Sequence, residues 1–196
     1  MKRGNRAKKR TGRGPARPAP RIKAYAKYLR VVVPERRIRN RVAAMAKEIN
    51  RDYRGKTLHV VGILENCYIF MADLVRALTM PVICHFVKAE TREVASGNVE
   101  LHEILYMPRI DAHGKDVLLV DGLLQSGVTL DHLVRSVLGQ GPNSVRTAIL
   151  VERQDERKTD VKTDYVGFRT TGRFLVGFGL GYQEQFRNLP YLAALK

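Results

Sequence analysis

The sequence predicts an α/β fold in which a parallel sheet is flanked by helices, and three features predict it. Short β-branched apolar runs alternate with stretches of helical period from residue 34 onward. One such unit, DVLLVDGLLQSGVTLDHLVRSVLGQG (residues 116–141), carries a buried strand through a short loop into a helix. The 196-residue chain is 44% hydrophobic and 28% charged, which supplies one sizeable core. Strands that alternate with helices at these intervals pair in parallel through right-handed crossovers.

The chain opens with MKRGNRAKKRTGRGPARPAPRIK, which has ten basic residues, no acids and almost nothing to bury. Such a segment is disordered when free and reads as an extended arm, assigned to residues 1–30, with the folded domain over 31–196. From Pro34, PERRIRNRVAAMAKEINRDYRG spaces Ile38, Val42, Met45, Ala46 and Ile49 three or four apart, so they share one helical face. Arg36, Arg37, Arg39, Arg41 and Arg51 are then left mostly facing outward, and Gly55 closes the helix. LHVVGIL (58–64) is short, apolar and β-branched, as a strand buried on both faces should be. YIFMADLVRAL has helical period, and VICHFV (82–87) reads as a second strand. Residues 90–115 are polar with weak strand signals, ending in Gly114. In the 116–141 unit the helix starts near Thr129 and ends at Gly139, after which SVRTAILV, YVGF and FLVGFGL supply further strands.

The net charge of +16 is confined to one end. Residues 1–56 hold 20 Lys/Arg and 3 Asp/Glu, whereas residues 57–196 hold 15 basic and 16 acidic residues. Such a block is a footprint for a polyanion, because each cation that neutralises a phosphate releases condensed counterions. RNA, DNA or an anionic membrane could supply that surface, and a merely solvated tail is the plain alternative. The candidate phosphate contacts are Lys2, Arg3, Arg6, Lys8, Lys9, Arg10, Arg13 and Arg17 in the arm, with Arg36, Arg37, Arg39 and Arg41 on the helix. No segment approaches the roughly 18 uninterrupted apolar residues of a membrane span, and the N-terminus lacks the apolar stretch of a signal peptide. Cys67 and Cys84 form no disulfide framework, which fits a reducing cytoplasm. His85, His102, His113 and His132 share no metal-ligand spacing, so no metal site is expected.

A strand that ends in an acid and runs through Ser-Gly-x-Thr into a helix is an anion-binding arrangement, since backbone N–H groups and the helix N-terminus point at the ligand. VDGLLQSGVTL thereby makes Ser126, Gly127, Val128 and Thr129 a candidate phosphate loop. It resembles the diphosphoribosyl-binding motif of the phosphoribosyltransferases. VAAMAKEINRDYRGK, YIFMADLVRAL, DYVGF, FLVGFGLGY and FRNLPYLAAL extend the resemblance, in order, to bacterial hypoxanthine phosphoribosyltransferases over roughly residues 30–196. The resemblance implies a type I phosphoribosyltransferase-like parallel sheet with a small hood from the two chain ends. It also implies a dimer or tetramer, and transfer of ribose-5-phosphate from 5-phosphoribosyl diphosphate to a purine, with magnesium on the diphosphate.

Residue by residue, the resemblance is incomplete. Of two adjacent acids that touch the ribose, Asp121 remains and Gly122 replaces its neighbour. At the general-base position stands Gln125, an amide that cannot accept a proton at neutral pH. The Leu-Lys-Gly turn that holds diphosphate is here Leu64, Glu65, Asn66, Cys67, which puts an anion at an anion site. Glu152 stands for the lysine that reads the purine oxygen, with Arg153 beside it as a partial substitute, and Gly181 stands for the aspartate that supports magnesium. Phe174, the base-stacking ring, and Arg187, a diphosphate contact, are retained; each has a plain alternative, as a core ring and as the partner of a nearby acid. Cys67 reads as a small buried residue rather than a reactive thiol. These losses predict a catalytically degenerate homologue, a pseudoenzyme with no cofactor, which binds nucleic acid, RNA above all and in a ribosomal setting. Two alternatives stand beside it. One is a working hypoxanthine or guanine phosphoribosyltransferase in which Glu65, Asp121 or Glu152 carries magnesium or the proton. The other is a sensor that keeps a purine monophosphate on the loop.

Overall fold

The computed structural model describes residues 27–93, 100–106 and 111–196, with the backbone alone for 89–93 and 100–106. Lys2, Arg3, Arg6, Lys8, Lys9, Arg10, Arg13 and Arg17 lie outside the described residues, as does the side chain of His102. In chain order the elements are β1 (Leu29–Val33), α1 (Glu35–Asp52), β2 (Leu58–Leu64), α2 (Tyr68–Arg76), β3 (Val82–Glu93) and β4 (Glu100–Tyr106). They continue with β5 (Asp116–Leu124), α3 (Val128–Leu138), β6 (Ser144–Arg153), β7 (Tyr165–Thr170), β8 (Leu175–Val176) and β9 (Leu192–Leu195).

The main sheet runs β4-β3-β2-β5-β6-β7 and is parallel except for β4, which pairs antiparallel with β3. β2, β5 and β6 are buried along almost their whole length, so their continuous apolar runs follow from helices covering both faces. α1 seals one face with Ile38, Val42, Met45, Ala46 and Ile49, all buried, together with Phe70, Met71 and Leu74 of α2. α3 seals the other with Leu130, Leu133 and Val137 against Val117, Leu119 and Ile149. Among the described residues no helix is long and apolar enough to cross a membrane.

One expectation is extended and two are corrected. The polar stretch from residue 90 holds the outer part of a hairpin: β3 continues to Glu93 and β4 returns beside it. An edge hairpin needs no apolar run, because its outer strand buries little. FLVGFGL does not join the main sheet. Only Leu175–Val176 is strand, because Gly177 and Gly179, at φ +97° and +98°, turn the chain, and β8 instead pairs with β9 in a second sheet ordered β1-β9-β8. This small antiparallel hood ties the two chain ends together, with Leu29 opposite Leu195. Arg41 does not face outward: its guanidinium donates twice to the Val166 carbonyl, at 3.0 and 2.7 Å, and once to Glu48 at 2.8 Å.

Candidate functional site

The C-terminal ends of the central strands, where ligands gather in open α/β sheets, carry the candidate loop. β5 ends at Leu124, Gln125 and Ser126 cross the sheet edge, and Gly127 at φ +83° heads α3. Glycine is required there, since a Cβ would stand 2.5 Å from Thr159 Oγ1 as well as strain a left-handed backbone. The Ser126 hydroxyl accepts from Val128 N–H at 3.4 Å, and the Ser126 carbonyl accepts from Lys158 N–H at 2.8 Å, so the loop is held from both sides. A cavity of about 190 Å³ opens over it, lined by Asp121, Gln125, Ser126, Gly127 and Thr129 together with apolar Leu123, Leu124 and Leu130. The four predicted loop residues are therefore brought together at a helix N-terminus.

Asp121 borders this cavity but is 9% exposed. Burial pushes its carboxyl up to about 7, against hydrogen bonds from the Leu123 and Gly122 N–H groups that favour the anion. Because the folded-state value lies above the unfolded one of 3.8, the unfolded chain gives up this proton first. Stability therefore falls as pH rises from about 4 to about 7, and the loss is complete above that window. Asp121→Asn keeps the acceptor and removes the titration. Its melting temperature should match the parent near pH 4 and exceed it near pH 8, by an amount worth up to about 4 kcal/mol. Thermal melts at both pH values check this; an offset that does not change with pH contradicts it.

Beside the loop, where the resemblance puts the diphosphate contacts, the chain packs on itself. The turn Glu65–Cys67 follows β2, with a cis peptide between Leu64 and Glu65. The Asn66 carbonyl sits so close over β5 that a Cβ on Gly122 would run into it, and it lies 2.6 Å from where a Cβ on Gly179 would be. Arg187 clasps the same turn. It donates from Nη1 to Asn66 Oδ1 at 2.7 Å and to the Gly179 carbonyl at 2.8 Å, and from Nη2 to Glu65 Oε2 at 3.2 Å. Lys88 Nζ lies 3.8 Å from the other Glu65 oxygen. The guanidinium also occupies the space beside Gly181, 2.8 Å from where a side chain there would begin. Glu65, Gly122 and Gly181, three separate departures in the sequence, thus form one packed contact.

The base side is partly open. Phe174 is 44% exposed and meets Tyr182 edge to face at 5.4 Å, so it is not a core ring. Arg153 is 8% exposed and pairs with Asp155 and Glu156, while Glu152 pairs with Arg157 and Arg169. Gln125 donates to Glu156 at 3.2 Å, a carboxylate that the sequence did not place beside it. A recess of about 480 Å³ extends from there between Gln125, Ser126 and the Asp155–Lys158 segment. Cys67 is buried, and its thiol is pushed up to about 12 by that burial, as for a small core residue. Among the described residues no three His, Cys, Asp or Glu side chains converge as metal ligands.

Comparison with known proteins agrees with this fold. Residues 33–185 match the phosphoribosyl transferase domain family. The chain is 35% identical over 170 residues to a hypoxanthine-guanine phosphoribosyltransferase of Dictyostelium discoideum, covering 85% of this chain and 94% of that one. It is 36% identical over 168 residues to the enzyme of the same name from Aquifex aeolicus, covering 84% and 93%. Among solved structures, a hypoxanthine phosphoribosyltransferase from Staphylococcus aureus superposes with a TM-score of 0.82 at 29% identity, over 89% of this chain and 95% of that one.

Proposed function

The chain belongs to the hypoxanthine-guanine phosphoribosyltransferase family, and we propose that it uses the family's fold to hold a purine nucleoside 5′-monophosphate while contributing little or no transfer. The observation that carries this reading is the seating of the Glu65–Cys67 turn on Gly122, Gly179 and Arg187, which takes up the diphosphate side and leaves the monophosphate loop free. A 5′-phosphate would sit on the N–H groups at the head of α3, with the Ser126 and Thr129 hydroxyls beside it. The exposed ring of Phe174 offers a purine a stacking surface. A magnesium–diphosphate does not fit these residues: Gly122 and Gly181 offer no ligand, Asp121 is nearly buried with a raised pKa, and Glu65 is tied to Arg187. No cofactor enters this reading, and the protein assembles as a dimer or tetramer.

A second reading, a working hypoxanthine or guanine phosphoribosyltransferase, is favoured by the names of the relatives and by Glu156. Held against Gln125, Glu156 is placed to take over as general base.

Thermal shift tests the first reading. Inosine or guanosine 5′-monophosphate at 100 times its dissociation constant, without magnesium, should stabilise the protein by ~2.7 kcal/mol. Ser126→Ala combined with Thr129→Val should abolish the shift. If no purine monophosphate moves the melting temperature at millimolar concentration, the reading fails.

A further inference from the structure

We propose that the outer face of α1 and the crevice at its C-terminal end are a docking surface for single-stranded RNA, a function separate from the nucleotide loop. Arg36, Lys47, Arg51 and Arg54 are all exposed. At 100° per residue the first three lie within about 60° of one another on the helix, and Arg54 follows just past its end. Between them the same face carries only Asn40, Ala43 and Ala44, so the path is low and unobstructed.

The acids of α1 do not neutralise this row. Glu35 pairs with Arg39, Glu48 with the inward Arg41, and Asp52 with Arg146 and the Tyr165 hydroxyl as well as Arg51. Arg36, Lys47 and Arg54 have no partner among the described residues, and Arg51 is 74% exposed despite its neighbour. Lys47 and Arg51 stand one helical turn apart, about 6 Å along the axis, a spacing that suits successive phosphates of an extended strand.

The row ends in a crevice of about 500 Å³, with Lys47, Arg51 and Arg54 on one wall and Thr79, Met80 and Pro81 on the other. Asn50 fixes its shape by donating to the Ala77 carbonyl at 3.1 Å and accepting from Thr79 N–H at 2.9 Å. A cationic rim over a partly apolar floor suits an unstacked base whose phosphates are held at the edge. A duplex keeps its bases stacked inside and could use only the rim. The ten basic residues among the first 23 join the fold beside this helix, since Lys27 is at most ~30 Å of extended chain from Arg36.

The test is anisotropy of a labelled mixed-sequence 20-nucleotide RNA with the full chain, titrated at several salt concentrations. The triple variant Lys47→Ala, Arg51→Ala, Arg54→Ala should weaken binding at least tenfold near 0.1 M salt. It should also flatten the salt dependence by ~2, at ~0.7 per lost phosphate contact. Its far-ultraviolet spectrum and its shift with purine monophosphate should be unchanged, which separates this proposal from the reading of the nucleotide site. The same RNA annealed to its complement should compete at least tenfold less well. Binding within twofold of the parent for the triple variant, with affinity lost only on deleting residues 1–23, would overturn the assignment to α1. Equal competition by duplex, or capture by phosphatidylserine vesicles with no RNA binding, would overturn the choice of partner.

Discussion

Gly122→Ala should cost at least ~3 kcal/mol of stability, a fall of roughly 6–12 °C in melting temperature for a chain of this size. Gly122→Asp should cost more. The added Cβ meets the Asn66 carbonyl, which is backbone and cannot rotate away, and the aspartate adds a charge at a buried position. Gly181→Ala is the control. Its Cβ meets Arg187 Cζ, Nε and Cγ, a side chain that can shift only by loosening its hydrogen bonds to Asn66 and Glu65, so the loss should be smaller, about 1–2 kcal/mol. Restoring the family's second ribose acid to this chain is therefore expected to disrupt the turn rather than restore chemistry. Thermal or denaturant unfolding of the three variants decides it. A cost below ~1 kcal/mol for Gly122→Ala would mean that the turn stands off from β5 and that the diphosphate side is open.

Much of the architecture was legible because it rests on local periodicity. The five buried positions of α1 are the five apolar residues at helical spacing, and β2, β5 and β6 are the continuous apolar runs. The β3–β4 hairpin was not, because an edge pair is held by backbone hydrogen bonds that polar side chains do not disturb. Neither was the hood strand β8, shortened where Gly177 and Gly179 turn the chain. Within the site, the Ser126–Thr129 turn at the head of α3 could be read from residue types in one short segment. The clasp could not: Asn66 and Arg187 are 121 residues apart, and nothing in either neighbourhood announces the other. In the sequence Glu65, Gly122 and Gly181 stand apart as unrelated departures, whereas packing brings them to one contact. Arg41 illustrates the same limit, since its partner at Val166 lies 125 residues away and turns a candidate surface cation into a half-buried tether.

Purified protein supplied with hypoxanthine or guanine, 5-phosphoribosyl diphosphate and magnesium should release diphosphate at no more than about 0.01 per second, against 1–1000 per second for ordinary enzymes. A missing general base removes a factor of about 100–10,000, and each missing electrostatic contact about 100–1000, with less than additive losses when the groups act together. On the proposed reading Gln125 supplies no base and Glu65 repels a polyanion, while Arg187 is engaged by Glu65 and Asn66. This turnover rate is the most direct test of the central claim, that the fold has kept a monophosphate loop and closed its diphosphate side. Diphosphate release at or below 0.01 per second, from protein that is still stabilised by purine monophosphate, is the result expected from the filled site. Release faster than about 1 per second would contradict it, and would assign the chemistry to a rearranged set of acids with Glu156 as the base.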